Sequence, residues 1–160
     1  MGLPEIFISF QTAAVSAITR SARGVLAVAV KDATAGGAAE AAYKSLAEVP
    51  EDKFSPENYR LLKLAFLAAP TKVWVLRVGE DAEKTYQALE RLRFDWLAAP
   101  GLEDARVMSF IKTLRNGGRG VKAVVANAKA PDCEGIVNLC VSGLTLEDGA
   151  MEAKDYAVRV

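Results

Sequence analysis

The sequence predicts an α/β fold, in which helices flank a layered, mostly parallel sheet and an extended arm precedes it at the N-terminus. The main observation is the segment at residues 71–101, TKVWVLRVGEDAEKTYQALERLRFDWLAAPG, where a buried strand, an amphipathic helix and a second buried strand follow one another. Two buried strands joined through a helix run parallel, and the crossover is right-handed in nearly every case. A further apolar run at residues 25–30 is typical of a central strand covered on both faces.

The composition fits one domain with a core of its own. The chain has 160 residues, 51% of them apolar, and its 20 basic residues balance 20 acidic ones. There is no histidine, so the commonest general base and metal ligand is missing. The balanced charge gives no indication of nucleic acid or of an anionic membrane as a partner. No apolar run reaches the length of a transmembrane helix and no signal-peptide pattern is present, so we expect the protein to be made and kept in the cytosol.

The N-terminal residues form the predicted arm. Residues 3–10 alternate in hydrophobicity as a strand does, and no hairpin turn follows to fold them back onto the chain. Residues 11–23 show no strong periodicity. We therefore interpret residues 1–23 as an extended arm and linker, and residues 24–160 as the α/β core domain. From the pattern alone, an edge strand of the chain's own sheet remains an equal alternative for residues 3–10.

Residues 25–50 are predicted to contain two strands and a loop. The strand at residues 25–30 precedes ATAGGAA, whose adjacent glycines lack the spacing of a phosphate-binding loop and indicate a flexible loop instead. Residues 43–49 are predicted as a short edge strand that ends before Pro50.

Two helices have clear predicted starts. Ser55 is an N-cap candidate before the helix at residues 57–68, which is apolar over most of its circumference and is expected to be covered on more than one side. Asp81 is the N-cap candidate for the next helix, which lies between predicted strands at residues 73–78 and 94–99.

The C-terminal third begins with an amphipathic helix. This helix follows Gly101 and ends at Asn116, Gly117 and Gly118, residues typical of left-handed C-caps. Residues 121–126 and 136–141 are predicted as two more buried strands. The connection between them is short for a helical crossover, so an antiparallel pairing or an irregular connection is expected. Residues 151–160 begin to look helical, and we expect the chain to be part of a longer protein.

The sequence predicts no catalytic, cofactor-binding or metal site. Ligands of open parallel sheets bind outside the carboxyl ends of the strands, where this chain has Glu80, Asp81, Asn127 and Lys129. We interpret the first two as helix caps rather than as catalytic groups.

The two cysteines also point to no metal or redox site. They are too few and too far apart for a metal ligand set. Cys140, within an apolar run, is predicted to be a small core residue, and Cys133 a loop thiol.

A group of basic residues is the remaining candidate site. Residues 106–122 contain five cations and no acid: Arg106, Lys112, Arg115, Arg119 and Lys122. They form either a contact patch for an acidic partner or a solvated helix face whose C-terminal cations favour the helix dipole, and the pattern leaves both open.

Seven segments, in their order and spacing, resemble the tail sheath proteins of contractile-tailed bacteriophages and related phage-tail-like bacteriocins of Gram-positive hosts. They are GLPEIFISF, ITRSARGVLAVAVKDA, SPENYRLLKLAFLAAP, ALERLRFDWLAAPG, FIKTLRNGGRGVKAVVANA, CEGIVNL and AKDYAVRV. The resemblance covers nearly the whole chain. It implies a structural subunit, not an enzyme, that needs no cofactor. Such subunits form hexameric rings around the tail tube of a virion, assemble in the host cytoplasm and contract to drive injection.

The resemblance also implies a role for the N-terminal strand. Terminal arms of sheath subunits add strands to the sheets of their neighbours, which would involve Ile6, Phe7, Ile8, Ser9 and Phe10, with residues 11–23 as a tether. The chain would then be the N-terminal portion of a sheath subunit whose C-terminal half is missing. Two alternatives remain: a small α/β enzyme or nucleotide- or ligand-binding domain, and an interaction domain that uses the basic helix at residues 102–115.

Overall fold

A computed structural model describes residues 24–34, 36–127, 131, 133–147 and 149–159. In chain order its main elements are β1 (Val25–Val30), β2 (Glu40–Tyr43), α1 (Pro56–Leu67), β3 (Lys72–Arg77), α2 (Ala82–Arg91), β4 (Trp96–Ala98), α3 (Asp104–Asn116), β5 (Lys122–Val125), β6 (Ile136–Asn138), β7 (Leu144–Leu146), β8 (Gly149–Met151) and α4 (Ala153–Tyr156). The predicted arm at residues 1–23 lies outside the described residues.

The α/β fold predicted from the sequence is confirmed. The described strands form a six-stranded sheet in the order β2-β3-β1-β4-β5-β6, and β7 and β8 form a separate antiparallel pair. Strand β1 lies between β3 and β4 and runs parallel to both. The predicted strand-helix-strand unit is therefore present, with β1 inserted between its two strands.

The helices cover both faces of the sheet, with a hydrophobic cluster under each set. Helices α2 and α3 pack over one cluster and α1 over the other. Successive side chains of β1 point to opposite faces of the sheet and so contribute to both clusters. Ala27 and Ala29 face α2 and α3, whereas Leu26, Val28 and Val30 face α1. Right-handed crossovers explain this arrangement, since the chain moves one way along the sheet from β1 to β3 and the other way from β3 through β4 to β5.

The caps and stops predicted for the helices are mostly observed. The Ser55 hydroxyl accepts a hydrogen bond from the Asn58 amide, and the Asp81 carboxylate accepts one from the Glu83 amide. At the end of α3 the left-handed residue is Gly118, with a φ of 84°, whereas Gly117 has a φ of −78°.

The edge strand predicted at residues 43–49 is wrong in position. The edge strand is β2, which ends at Tyr43 and runs antiparallel to β3. A 3-10 turn, Leu46–Glu48, follows it, and the amide of Lys44 is bonded to the Glu48 carboxylate. Local hydrogen bonds thus use backbone groups that a strand would have offered to a neighbour.

The last strand of the sheet is shorter than predicted and pairs in parallel. Strand β6 stops at Asn138 and is parallel to β5, so the antiparallel alternative is wrong. The Asn138 side chain accepts a hydrogen bond from the Asn127 amide and donates one to the Asn127 carbonyl. These bonds fix the end of the strand.

The prediction of a buried Cys140 is wrong. Cys140 is exposed, because it follows the end of an edge strand instead of lying inside a covered one. Val137 and Val141 beside it are 47% and 44% exposed. Cys133 is half-buried and packs against the cluster under α2 and α3.

The described chain ends in a short helix, as the sequence indicated. Helix α4 is followed by a 3-10 turn, Ala157–Arg159, in which Ala157 and Val158 are buried. Val158 joins the cluster under α1, so this terminal turn is part of the core.

Candidate functional site

The carboxyl ends of β1, β3 and β4 meet at one edge of the sheet and form an open cleft of about 760 Å³. Lys31 and Asp32 follow β1, Gly79 and Glu80 follow β3, and Glu103 stands at the start of α3. After β1 the chain passes to the face of the sheet covered by α1, whereas after β3 and β4 it passes to the opposite face. The cleft therefore lies at the topological switch point, where open α/β sheets bind ligands.

Tyr86 on α2 lines this cleft and carries an unusual hydroxyl group. The residue is 5% exposed, and its hydroxyl oxygen has no hydrogen-bond partner among the described residues. Burial raises the pKa of this phenol; the Arg106 guanidinium, 5.0 Å from the ring centroid, lowers it, and neighbouring carboxylates add to the increase. The hydroxyl is therefore neutral, and it is unpaired within the described part of the chain.

A buried ionic cluster lies beside the cleft and was not anticipated from the sequence. The Asp32 side chain is fully buried and accepts hydrogen bonds from the amides of Thr34 (2.8 Å) and Ser55 (3.0 Å) and from the Asn58 side chain (2.7 Å). The Arg77 guanidinium lies 3.6 Å from the same carboxylate. Burial alone would raise the pKa of Asp32, but the hydrogen bonds outweigh burial and hold the pKa well below its usual range.

Arg77 completes this cluster and spans several segments. It donates to the carbonyls of Thr34 and Lys53, and its guanidinium lies 4.6 Å from the Phe54 ring centroid. The cluster therefore connects the end of β1, the end of β3 and the start of α1. An aspartate two residues after the end of a buried strand was the available signal for it, but its partners could be identified only from the folded structure.

The five basic residues considered as a contact patch do not form one continuous surface. Arg106 lies at the start of α3, where it pairs with Glu83. Arg119 lies beyond the end of α3, on the opposite edge of the sheet, and donates to the carbonyls of Glu90 and Leu92. The 13 residues of α3 separate these two positions by roughly 20 Å.

The other three cations have different surroundings. Arg115 donates to the Val121 carbonyl and pairs with Glu134. The ammonium of Lys122 lies 5.0 Å from the Trp96 ring centroid. Lys112 is exposed on α3. Arg115, like Arg119, thus connects neighbouring segments of the fold.

The amino ends of β1, β4 and β5 border a second open cleft, of about 520 Å³. Arg91, Arg93 and Arg119 line it, together with Glu90 and Asp95. Gly24, the first residue of the first described segment, lies at this same edge, where its carbonyl accepts a hydrogen bond from the Thr71 amide. The segment that contains Ile6, Phe7, Ile8, Ser9 and Phe10 lies outside the described residues.

Two of the residues noted at the predicted carboxyl ends have defined places. Asp81 caps α2, and Asn127 is bonded to Asn138, whereas Lys129 lies outside the described residues. Within the described part of the chain, no group of three or more Cys, Asp or Glu side chains is placed to hold a metal ion. None of the described helices has the length and apolar character needed to cross a membrane.

Comparison with known proteins shows that the chain is similar to tail sheath proteins. No family model matches the chain. A curated relative, the tail sheath protein of Clostridium phage phiCD119, is 31% identical over an alignment 176 positions long, which covers 99% of this chain and 47% of the relative. The recognition of tail sheath proteins from sequence is confirmed. The chain spans about half the length of this curated relative.

Two solved structures share the fold. A sheath tail protein from Listeria innocua superimposes with a TM-score of 0.69 at 16% identity, over 86% of this chain and 55% of the other. A sheath tail protein from Desulfitobacterium hafniense gives a TM-score of 0.71 at 13% identity, over 97% and 60% of the two chains. At these identities the likeness is one of fold, and it extends over most of the chain.

Proposed function

We propose that this chain belongs to a contractile tail sheath subunit, which polymerises around a tail tube and transmits contraction mechanically. In this proposal residues 24–160 lie in its core domain and residues 1–23 form its arm. The observation that carries the proposal is the 31% identity to a tail sheath protein over 99% of the chain. The whole subunit would form hexameric rings with other copies, contact the tube protein, assemble in the host cytoplasm and reside in the virion tail. Its role is structural rather than catalytic.

The packing of the domain supports a mechanical role. Helices on both faces bury the sheet, and the Asp32–Arg77 cluster ties α1 to the ends of β1 and β3. Close packing makes protein interiors nearly incompressible, so such a domain moves as a rigid body and passes displacement on to its neighbours. Rigid domains that rotate about flexible connections are what contraction requires.

The N-terminal strand would provide the flexible connection. In this proposal Ile6, Phe7, Ile8, Ser9 and Phe10 add to the sheet of a neighbouring subunit, with main-chain hydrogen bonds for attachment and alternate side chains for register. Residues 11–23 are the tether, and they join the domain at Gly24, on the amino edge of the sheet.

Deletion of residues 1–20 tests the role of this strand. We expect the shortened chain to keep its far-UV circular dichroism spectrum and its unfolding midpoint, because the core clusters are formed by later residues. Loss of the fold would instead assign residues 3–10 to the chain's own sheet.

Electron microscopy of the protein expressed at its full natural length tests the proposed function. Hollow, striated tubes of uniform width are expected, and the same deletion should abolish them. Compact single particles at every protein and salt concentration would contradict the sheath assignment.

The basic residues remain a proposed contact patch for an acidic partner such as the tube. Arg106, Lys112 and Lys122 are exposed, but Arg106, like the half-buried Arg115 and Arg119, has an intramolecular partner. Replacing Lys112 and Lys122 with Glu should weaken binding of tube protein without loss of the fold. Unchanged binding would assign these lysines to a solvated face.

The cleft at the switch point favours ligand binding as a second candidate function. Its exposed carboxylates, Glu80 and Glu103, would repel the negative charge of a phosphate group, so a nucleotide is a poor match to this site. A thermal-shift screen of nucleotides and small metabolites tests this candidate, because a ligand that binds only the folded state raises its stability. A compound that raises the midpoint in the wild type, but not in a Tyr86→Ala variant, would support it.

A further inference from the structure

The two edges of the sheet carry opposite charge. The exposed acids at the carboxyl ends include Glu80, Asp81, Glu83 and Glu103. The amino ends carry the exposed Arg91, Arg93 and Lys122, with the half-buried Arg119 and Lys72 beside them. We name the first group the acidic edge and the second the basic edge.

Each edge also contains charges of the opposite sign. Lys31, Lys84 and Arg106 lie at the acidic edge, but Arg106 is already paired with Glu83. Glu90 and Asp95 lie at the basic edge, where the Asp95 carboxylate accepts a hydrogen bond from the Val25 amide. The opposite charges do not cancel the excess at either edge.

Helix dipoles explain part of this pattern. Helices α2 and α3 begin at the acidic edge and end at the basic edge, and acids at a helix start and bases at its end are stabilising. However, Arg93 and Lys122 lie beyond the helices, where the dipole effect has faded. Glu80, Glu103, Arg91 and Arg93 also make no ion pair within the part of the chain that the structure describes.

We propose that the basic edge of one copy of this domain docks on the acidic edge of another, in a head-to-tail contact between core domains. The two edges are at opposite ends of the same strands, so the contact joins two different surfaces and is heterologous. A twofold contact of either edge with itself would bring like charges together. A heterologous contact repeats along a line or closes into a ring, which is the geometry that stacked or ringed subunits need.

Each edge has a concave surface for this contact. The cleft at the acidic edge measures about 760 Å³ and includes Glu80 and Glu103 in its lining. Guanidinium groups suit such carboxylates because they form two parallel hydrogen bonds with each. The exposed side chains that would enter it are Arg91, at the end of α2, and Arg93, on the loop between α2 and β4.

This proposal rests on the subunit association proposed above. Its test uses the 160-residue chain alone, so a negative result would reject this contact without deciding whether the full-length protein forms tubes. In sedimentation velocity at about 20 mM NaCl, the wild type should associate as its concentration rises. At about 0.5 M NaCl it should sediment as a monomer, because salt screens charges that lie beyond a few ångströms.

Two charge-reversed variants make the contact specific. Arg91→Glu with Arg93→Glu makes both edges acidic, and Glu80→Lys with Glu103→Lys makes both edges basic. Each variant alone should associate at least about tenfold more weakly than the wild type, because repulsion replaces attraction at the interface. An equimolar mixture of the two should associate again, since each variant then offers the edge that the other lacks.

A matched control separates the edges from net charge. Lys63→Glu with Gln87→Glu and Ser109→Glu changes the net charge by the same amount as the arginine variant, at exposed positions within α1, α2 and α3, and should associate like the wild type. Circular dichroism checks that every variant is folded.

Several outcomes would overturn the proposal. They are a wild type that stays monomeric at low salt, a mixture that fails to associate although each variant is folded, and a control as weak as the edge variants. Should a variant fail to fold, carbodiimide cross-linking of mixed ¹⁴N- and ¹⁵N-labelled wild type replaces it. Isotopically mixed links from Lys72 or Lys122 to Glu80, Asp81 or Glu103 would support the contact, and their absence would reject it.

Discussion

At the scale of single residues, Asp32 combines full burial with a complete set of partners. Its carboxylate accepts three hydrogen bonds at 2.7–3.0 Å and faces Arg77. Replacement by alanine would leave the Arg77 charge buried without its counter-ion, and breaking a buried pair in this way costs about 3–5 kcal/mol. We expect Asp32→Ala to lower the free energy of unfolding in urea by about this amount.

Asp52→Ala is the matched control for this substitution. Asp52 also pairs with a cation, Lys53, but its side chain is 73% exposed, and exposed pairs contribute about 1 kcal/mol or less. Equal losses from the two substitutions would show that the Asp32 cluster is not a buried ionic site.

The low pKa of Asp32 predicts how stability depends on pH. Because its pKa is lower in the folded state, the unfolded state binds more protons, and stability rises with pH. The contribution of Asp32 is complete above the unfolded pKa of about 3.9 and is lost as the pH falls below it. Unfolding free energies measured from about pH 6 to pH 2 should therefore decline less steeply for Asp32→Ala than for the wild type. Parallel curves would contradict this.

Tyr86→Phe tests the unpaired hydroxyl. A buried polar group without a partner costs about 1–3 kcal/mol, so its removal should leave stability unchanged or raise it. Tyr156→Phe is a control with the opposite expectation, because the Tyr156 hydroxyl accepts a 2.8 Å hydrogen bond from Arg159 at the surface. A clear loss of stability in Tyr86→Phe would show that the hydroxyl is bonded to water or to a ligand.

At the scale of elements, the turn between β4 and α3 depends on a close approach of two backbones. A Cβ atom at Gly101 would lie 2.7 Å from the Lys31 nitrogen and 2.9 Å from the Val30 carbonyl carbon, at the end of β1. Backbone atoms cannot move aside as a flexible side chain does. Gly101→Ala should therefore cost about 1–3 kcal/mol, as overpacking does.

Gly79→Ala is the control for this effect, since Gly79 follows β3 at the same edge and a Cβ there would meet no atom within 4 Å. It should change the unfolding midpoint little. If both variants unfold alike, the contact between the turn and β1 is not the reason for the glycine.

The elements that the sequence predicted well are those whose signals are local. Ser55 and Asp81 were identified as caps because a cap depends on residues two or three positions away, and the buried strands were identified from continuous apolar runs. The edge elements were predicted poorly. Strand β2 reads EAAY, which has little strand propensity, and it forms because β3 offers it a free edge.

The candidate site was less predictable, for a physical reason. The Asp32 cluster joins residues as far apart in sequence as Asp32 and Arg77, and no local pattern records such partners. The five cations near α3 are close in sequence, and the pattern left a contact patch and a solvated helix face both open. The sequence does not show that the helix carries Arg106 and Arg119 to opposite edges of the sheet. The family, in contrast, was recognised from whole segments in order, which needs no knowledge of contacts.

At the scale of the whole molecule, the position of β1 has a consequence for folding during synthesis. Its neighbours in the sheet are β3 and β4. The amide of Val25, at the start of β1, donates to the carboxylate of Asp95, which lies 70 positions later in the chain. At about 5–20 residues per second, the ribosome needs several seconds to supply both neighbours. During that interval the most apolar strand of the nascent chain has two unpaired edges. Until β3 and β4 are complete, these open edges are able to pair with strands of other chains, so this interval is the one in which the nascent chain is most exposed to misassembly.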